Sequence, residues 1–226
     1  MIAIITAMEV ELRDILSRLE APQPVEKPGL WGYLGKLHGQ DVLAAVCGVG
    51  KVCAAQCTQL IISEYKPSAV LHSGIAGAVS PDLRHLDVVV ARELTYRDMS
   101  DKTKRAFLPF GGCFVADPKL VTLIRKACPQ NHLGCIATGD LFVNSREEKE
   151  RLRRDYNALC AEMEGAAVAH VCAVNRVPFA VIRCISDLAD DDAYGDYEQF
   201  ERLAAKKSAD ILCGAIALMD KKEDVK

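Results

Sequence analysis

Short, uninterrupted apolar runs alternate along this chain with longer segments of helical period, and that alternation leaves few folds open. Ile2-Ala3-Ile4-Ile5 is apolar throughout, as a strand covered on both faces must be. Residues 8–19 carry Leu12, Ile15, Leu16 and Leu19, a helical spacing. Further buried strands are read at 69–71, at 87–91 with an extension towards Tyr96, and at 133–138, 158–161 and 179–185. Helices are read at 51–65, ended by Pro67, and at 118–128, 146–155, 165–174 and 197–219. Pro22, Pro24, Pro28 and Gly29 break the chain early, and segments 31–37 and 42–46 then flank His38-Gly39-Gln40-Asp41 as a hairpin. Strands and helices alternate to the end without repeat or linker. The expectation is one domain over residues 1–226, a three-layer α/β/α fold with a central mixed sheet.

Between Arg97 and Gly112 the periodicity disappears and Asp101-Lys102-Thr103-Lys104-Arg105 is polar and basic, so this stretch is read as a long surface loop. The net charge of −3 gives no general attraction to nucleic acid or an anionic membrane. Ten cysteines occur without a CxxC pair, mostly single inside apolar runs. That pattern fits small buried hydrophobes in a reducing compartment rather than a disulfide framework or a zinc site. His72, His85 and His170 lack metal-ligand spacing and are read as structural or solvated. Met1 to Ile5 is too short for a signal h-region, and no apolar stretch reaches the ~18 residues of a membrane span. A cytoplasmic protein without metal or cofactor is the expectation.

Chemistry-bearing residues gather where strands end. Ala161-Glu162-Met163-Glu164-Gly165 and Arg183-Cys184-Ile185-Ser186-Asp187 place three carboxylates and an arginine at the carboxyl ends of two buried strands, the edge where α/β sheets bind ligands. Glu162 and Glu164, two apart, project to one side of an extended chain, where carboxylates accept hydrogen bonds from sugar hydroxyls. Asp187 reads as functional rather than as a helix N-cap, because Leu188 to Asp192 is acidic and loop-like. Glu9 and Glu11 stand at a helix start, where they either complement the macrodipole or supply one base, since only one of them faces a cleft. Gly48-Val49-Gly50 and Gly74-Ile75-Ala76-Gly77 read as tight turns exposing amide donors, matching neither dinucleotide nor phosphate-loop fingerprints. Phe142, after another strand, is either a core residue or a platform for a base.

Taken together, Ala161-Glu162-Met163-Glu164-Gly165-Ala166-Ala167, Ile185-Ser186-Asp187-Leu188-Ala189-Asp190 and Gly48-Val49-Gly50-Lys51-Val52 resemble the 5'-methylthioadenosine/S-adenosylhomocysteine nucleosidase family of the nucleoside phosphorylase superfamily. The resemblance runs from Ile4 to the final helix. It implies hydrolysis of an N-ribosidic bond with release of adenine. Asp187 would protonate the purine at N7, held by Ser186, and Glu11 would activate water with Arg183 nearby. Glu164 would bind the ribose hydroxyls and Met163 would pack on the sugar. Phe142 would stack on adenine while the Val143 backbone reads its edge. Met8, Val49, Ile75, Ala76, Gly77, Glu162 and Tyr197 would complete the substrate contacts. It further implies a homodimer in which a partner loop helps to close the pocket.

The chemistry agrees, since protonating the base makes a neutral leaving group on the way to an oxocarbenium-like state. Glu9 and Glu11 would repel phosphate, which favours water over phosphorolysis. A phosphate-dependent nucleoside phosphorylase and a non-catalytic nucleoside-binding module remain the alternatives. Three departures from the family pattern bear on specificity. Ile75 stands where a small hydroxyl residue is common, Arg97 replaces a usual histidine, and Lys102-Thr103-Lys104-Arg105-Ala106-Phe107 replaces an aromatic-rich stretch. The basic run reads either as a solvated loop or as a preference for a 5' substituent bearing an anion, such as 6-amino-6-deoxyfutalosine.

Overall fold

The computed structural model describes residues 1–219, so positions 220–226 of the expected domain lie outside the described residues. β1 (Ile2–Thr6) is buried along its whole length. It runs parallel to both β4 (Gln40–Val46) and β5 (Ala69–Ala78), which is why it carries no polar alternation. β3 (Trp31–Leu37) pairs antiparallel with β4 as the expected hairpin.

On the other side β5 pairs parallel with β10 (Phe179–Asp187), from Val70 opposite Phe179 to Gly77 opposite Asp187. β10 runs antiparallel to β6 (Val88–Tyr96), which is parallel to β8 (His132–Thr138). β8 is parallel to β9 (Ala158–Glu162). β9 returns to β5 antiparallel at Gly77–Ala161 and Ala78–Cys160. The mixed sheet therefore closes a five-stranded circuit. Because β5 and β9 overlap only at their last residues, both carboxyl ends meet at one place, beside the end of β10.

Helices cover the sheet. α7 (Ala193–Ala217) packs on β5 and β10 with α1 (Glu9–Leu16) and α4 (Pro118–Ala127) beside it, while α2 (Lys51–Tyr65) and α6 (Gly165–Asn175) pack together. α5 (Arg146–Tyr156) lies against β8 and β9. Ile4, Ile5, Leu43, Leu71 and Ile182 are completely buried between these layers, each removing apolar surface worth ~1.5–3 kcal/mol from water. All ten cysteines are free thiols. No helix among the described residues is long and apolar enough to cross a membrane.

Several segments differ from the sequence expectation. Residues 20–24, read as a proline break, form the edge strand β2 (Glu20–Pro24) against β3. Proline is tolerated there because an edge strand has a side with no ladder bonds to lose. β5 does not give way to a turn after Leu71 but continues through Gly74 and Gly77 to Ala78. Residues 97–112 are no open loop: α3 (Asp101–Phe107) starts at Ser100, whose Oγ accepts from Thr103 N, and a 3-10 turn spans Pro109–Gly112. The three-residue β7 (Cys113–Val115), on β6, is too short to show a period. α1 stops at Leu16 and α7 begins at Ala193, four positions before the expected start.

Candidate active site

The first turn of α1 resolves the choice between its two glutamates. Glu9 is exposed, whereas Glu11 is 3% exposed. Its Oε2 accepts from Ala7 N (2.8 Å) and Met8 N (3.0 Å), and its Oε1 from Ile75 N (3.0 Å). A Cβ on Gly74 would stand 2.6 Å from Glu11 Oε1, so β5 carries glycine to admit this carboxylate. Burial raises the proton affinity of Glu11; the Arg183 charge and the three amides pull it down without cancelling that rise.

Asp187 ends β10. Ser186 Oγ donates to its Oδ2 (2.8 Å) and Ala189 N to its Oδ1 (3.0 Å). A Cβ on Gly77 would lie 2.6 Å from that Oδ1. Asp187 is thus gripped by its own turn, six residues before α7 starts, and does not cap that helix. Burial raises its pKa above the ordinary carboxyl value, with the Ser186 and Ala189 bonds opposing.

Glu162 and Glu164 divide their roles. Glu162 Oε2 accepts from Arg183 Nη2 (2.6 Å), Glu164 N (3.0 Å) and Gly165 N (2.6 Å), and its Oε1 accepts from Thr138 Oγ1. Burial works against ionisation of Glu162, but the Arg183 charge prevails and its pKa is lowered. The Glu164 carboxyl is pushed up by burial and by the charge of Glu162. Glu164 Oε1 takes the amide of Gly50 (2.7 Å). Gly50 sits at φ +96°, a conformation that side chains other than glycine rarely adopt.

Arg183 stays behind the wall, 1% exposed. Besides Glu162, its Nη2 donates to His72 Nε2 (2.5 Å), and His72 Nδ1 donates to Ile5 O (2.9 Å). His72 is therefore a neutral structural residue, its pKa lowered to about 3 by burial and by Arg183. The ligand atoms of His72, Glu162 and Glu164 lie within 4.8 Å of one another. The guanidinium already supplies the positive charge between the first two, so a metal ion there would have to displace it.

Glu11, Glu162, Glu164 and Asp187 face a cavity of about 380 Å³. Of the residues expected from sequence, Met8, Glu11, Val49, Ile75, Ala76, Gly77, Phe142, Glu162, Met163, Glu164, Ser186, Asp187 and Tyr197 line it. Val143 lines a hollow of about 30 Å³ shared with Phe142 and Asp187. Arg183, expected at the substrate, is not among the lining residues of either and is paired with Glu162 behind them. Ala7, Ala161, Tyr194 and Glu198 also line the cavity and were not anticipated. Tyr194, Tyr197 and Glu198 share one helical face, a signal that needed the true start of α7. Phe142 stacks on Tyr194 at 4.7 Å between ring centroids and meets Tyr197 edge-on at 5.9 Å. Among the described residues, none of those lining a larger groove of about 970 Å³, beside Ile2, Pro118 and Met219, is a carboxylate.

The basic segment is not at this site. None of residues 101–107 lines the cavity. Lys104 is 4% exposed, its Nζ donating to Thr95 Oγ1 (3.1 Å) and Tyr96 O (3.0 Å) and pairing with Asp101 (2.8 Å). Arg97 is also buried, its Nη2 donating to Gly139 O (3.2 Å) and to Leu141 O, its Nη1 to Glu148 (3.3 Å). It braces the segment that leads into Phe142.

Residues 1–217 match the phosphorylase superfamily. The chain belongs to that superfamily. Among solved structures of its kind, it is similar to the 5'-methylthioadenosine/S-adenosylhomocysteine nucleosidase of Neisseria meningitidis in complex with methylthio-immucillin-A. Identity is 30% and the TM-score 0.91, over 96% of this chain and 98% of that one. It is equally similar to the S-adenosylhomocysteine nucleosidase of Streptococcus pyogenes in complex with 5-methylthiotubericidin, at 32% identity and a TM-score of 0.91, covering 96% of each chain. The futalosine hydrolase of Helicobacter pylori matches at 31% identity and a TM-score of 0.89, over 95% of this chain and 96% of that one.

Proposed function

We propose that this superfamily member hydrolyses the N-ribosidic bond of a 5'-substituted adenosine, such as 5'-methylthioadenosine or S-adenosylhomocysteine, and releases adenine. The observation that carries the reading is the placement of Glu11 and Asp187 in one cavity with Glu164, three buried carboxyls of raised proton affinity. Asp187, whose proton affinity burial raises, delivers a proton to the purine as the C–N bond breaks. Glu11, held by three amides, takes a proton from the attacking water. Glu164 grips the ribose hydroxyls and, with Glu162 behind it, favours the positive charge that develops on the sugar. Phe142 and Tyr194 supply the aromatic surface for the base.

Water is favoured over phosphate by the lining itself. Among the described residues, five carboxyl residues (Glu11, Glu162, Glu164, Asp187 and Glu198) line the cavity and no lysine, arginine or histidine does, Arg97 reaching only the adjoining small hollow. An oxyanion would meet repulsion without a partner. A second reading, a 5' substituent bearing a carboxylate, draws support from the likeness to the Helicobacter pylori enzyme; the buried Lys104 takes away its best cation. The homodimer implied by the resemblance would cover Val49 and Tyr194 of the cavity and Leu141 of the adjoining hollow, all three exposed.

The test is adenine release from 5'-methylthioadenosine and S-adenosylhomocysteine, with and without phosphate. Release independent of phosphate, reduced ~10²–10⁴-fold in Asp187→Asn, is the expected result. Strict dependence on phosphate would make the protein a phosphorylase, and binding without release would make it a nucleoside-binding module.

A further inference from the structure

The peptide group joining Leu188 to Ala189 is held at both ends. Its N–H, from Ala189, donates to Asp187 Oδ1 at 3.0 Å. Its carbonyl oxygen, from Leu188, accepts from Lys149 Nζ at 2.5 Å. A peptide is planar and rigid, so fixing its oxygen also fixes where its N–H points. Lys149 sits on α5 and approaches from outside the cavity. Glu150 and Asp190 line the same hollow of about 240 Å³ as Lys149. Among the described residues Lys149 forms no salt bridge with either; its ammonium goes to the carbonyl instead.

The plane needs holding because Ala189 is in the left-handed region, at φ +50°, and is completely buried. That conformation is unfavourable for any residue with a Cβ. Turning the peptide over changes ψ of Leu188 and φ of Ala189 together and releases that strain. It also withdraws the N–H from Asp187 and brings the carbonyl oxygen round in its place.

We propose that Lys149 is a positioning residue for Asp187, locking the Leu188–Ala189 peptide in the strained orientation that donates to the acid. The proposal rests on Asp187 being the general acid of the reaction above. Other groups that bear on Asp187 are Ser186, the His85–Asp196 pair at 2.9 Å, and Glu11, Glu162, Glu164, Tyr197 and Glu198 around the cavity. All are unchanged in the variants below, so they cancel in the comparison.

The variants are Lys149→Met, Lys149→Arg and Lys149→Met combined with Ala189→Gly. Two readouts are taken: the pH dependence of kcat and KM for adenine release, and the titration of the Asp187 carboxyl by carbon NMR, assigned by its loss in Asp187→Asn. Lys149→Met is expected to lower kcat ~10–100-fold, the scale of a misplaced catalytic group, with KM little changed. Its alkaline limb and the Asp187 titration should both move to higher pH, because an N–H that favours the ionised carboxylate has gone. Lys149→Arg, which keeps a charged donor, should stay close to wild type. Glycine tolerates positive φ without strain, so the double variant should recover part of the lost kcat. An Asp187 titration in Lys149→Met identical to wild type would overturn the proposal, as would a double variant worse than Lys149→Met alone. If the wild type releases no base from any of these nucleosides, the nucleosidase reading falls, and the titration still decides the role of the lysine. Should Lys149→Met fail to fold, the same titration in Lys149→Gln decides it.

Discussion

Glu11 and Asp187 are both made reluctant to ionise by burial, and the base and acid roles proposed for them would use that reluctance in opposite directions. The base works only when ionised, so activity rises as pH climbs through the raised value of Glu11. The acid works only when protonated, so activity falls as pH climbs through the raised value of Asp187. A bell-shaped profile is expected in kcat, with Glu11→Gln removing the acid limb and Asp187→Asn the alkaline one. Stability carries the same sign. A carboxyl whose folded pKa is raised contributes stability that is full below its unfolded value and lost as pH rises through the folded one. The Tm of Asp187→Asn minus that of wild type should therefore grow as pH increases, and melts at several pH values check it. At this scale the sequence showed which carboxyls were candidates, including the pair two apart in each motif. The choice of Glu11 over Glu9 depended on the amides of Ala7, Met8 and Ile75, the last of which comes from another strand.

β5 departs from its sequence expectation for a physical reason. Gly74 and Gly77 looked like turn residues, yet both lie within a strand and serve to clear space for Glu11 and Asp187. Gly74→Ala and Gly77→Ala each put a Cβ 2.6 Å from a carboxylate oxygen, well inside contact distance. Each variant is expected to lose base release by ~10²-fold, as steady-state kinetics would show; unchanged rates would mean the carboxylates can move aside freely. α3 was missed for the converse reason. Its seven residues, Asp101–Phe107, bury a lysine rather than an apolar stripe, so no period betrayed the helix. Lys104→Ala should destabilise by ~1–3 kcal/mol, the usual cost of leaving buried polar partners unmet, here Thr95 Oγ1 and Tyr96 O. KM for a nucleoside should not move, because α3 is not part of the cavity. Urea titration and kinetics separate the two effects.

Across the whole molecule, the closed circuit of β5, β10, β6, β8 and β9 brings the charged ends of separate strands onto one buried arginine. Arg183→Met would leave the carboxylate of Glu162 without its counter-charge. Breaking a buried pair in this way is expected to cost ~3–5 kcal/mol, measurable by urea unfolding, and a loss below 1 kcal/mol would show that Thr138 and the α6 amides suffice for Glu162. The sequence by itself determined the alternation of the main strands and helices, though not β2, α3 or β7, together with the free cysteines and the identity of the carboxylates near strand ends. Those properties follow from local chemistry: continuous apolar runs must be buried, and charges must sit where chains emerge. Only the tertiary structure decided what each charge does. Arg183 reaches His72, 111 positions away, and Glu162, 21 away, while Glu164 accepts from Gly50, 114 away. Proton affinity depends on burial and on neighbours in space, and the spacing of residues along a chain does not carry that information.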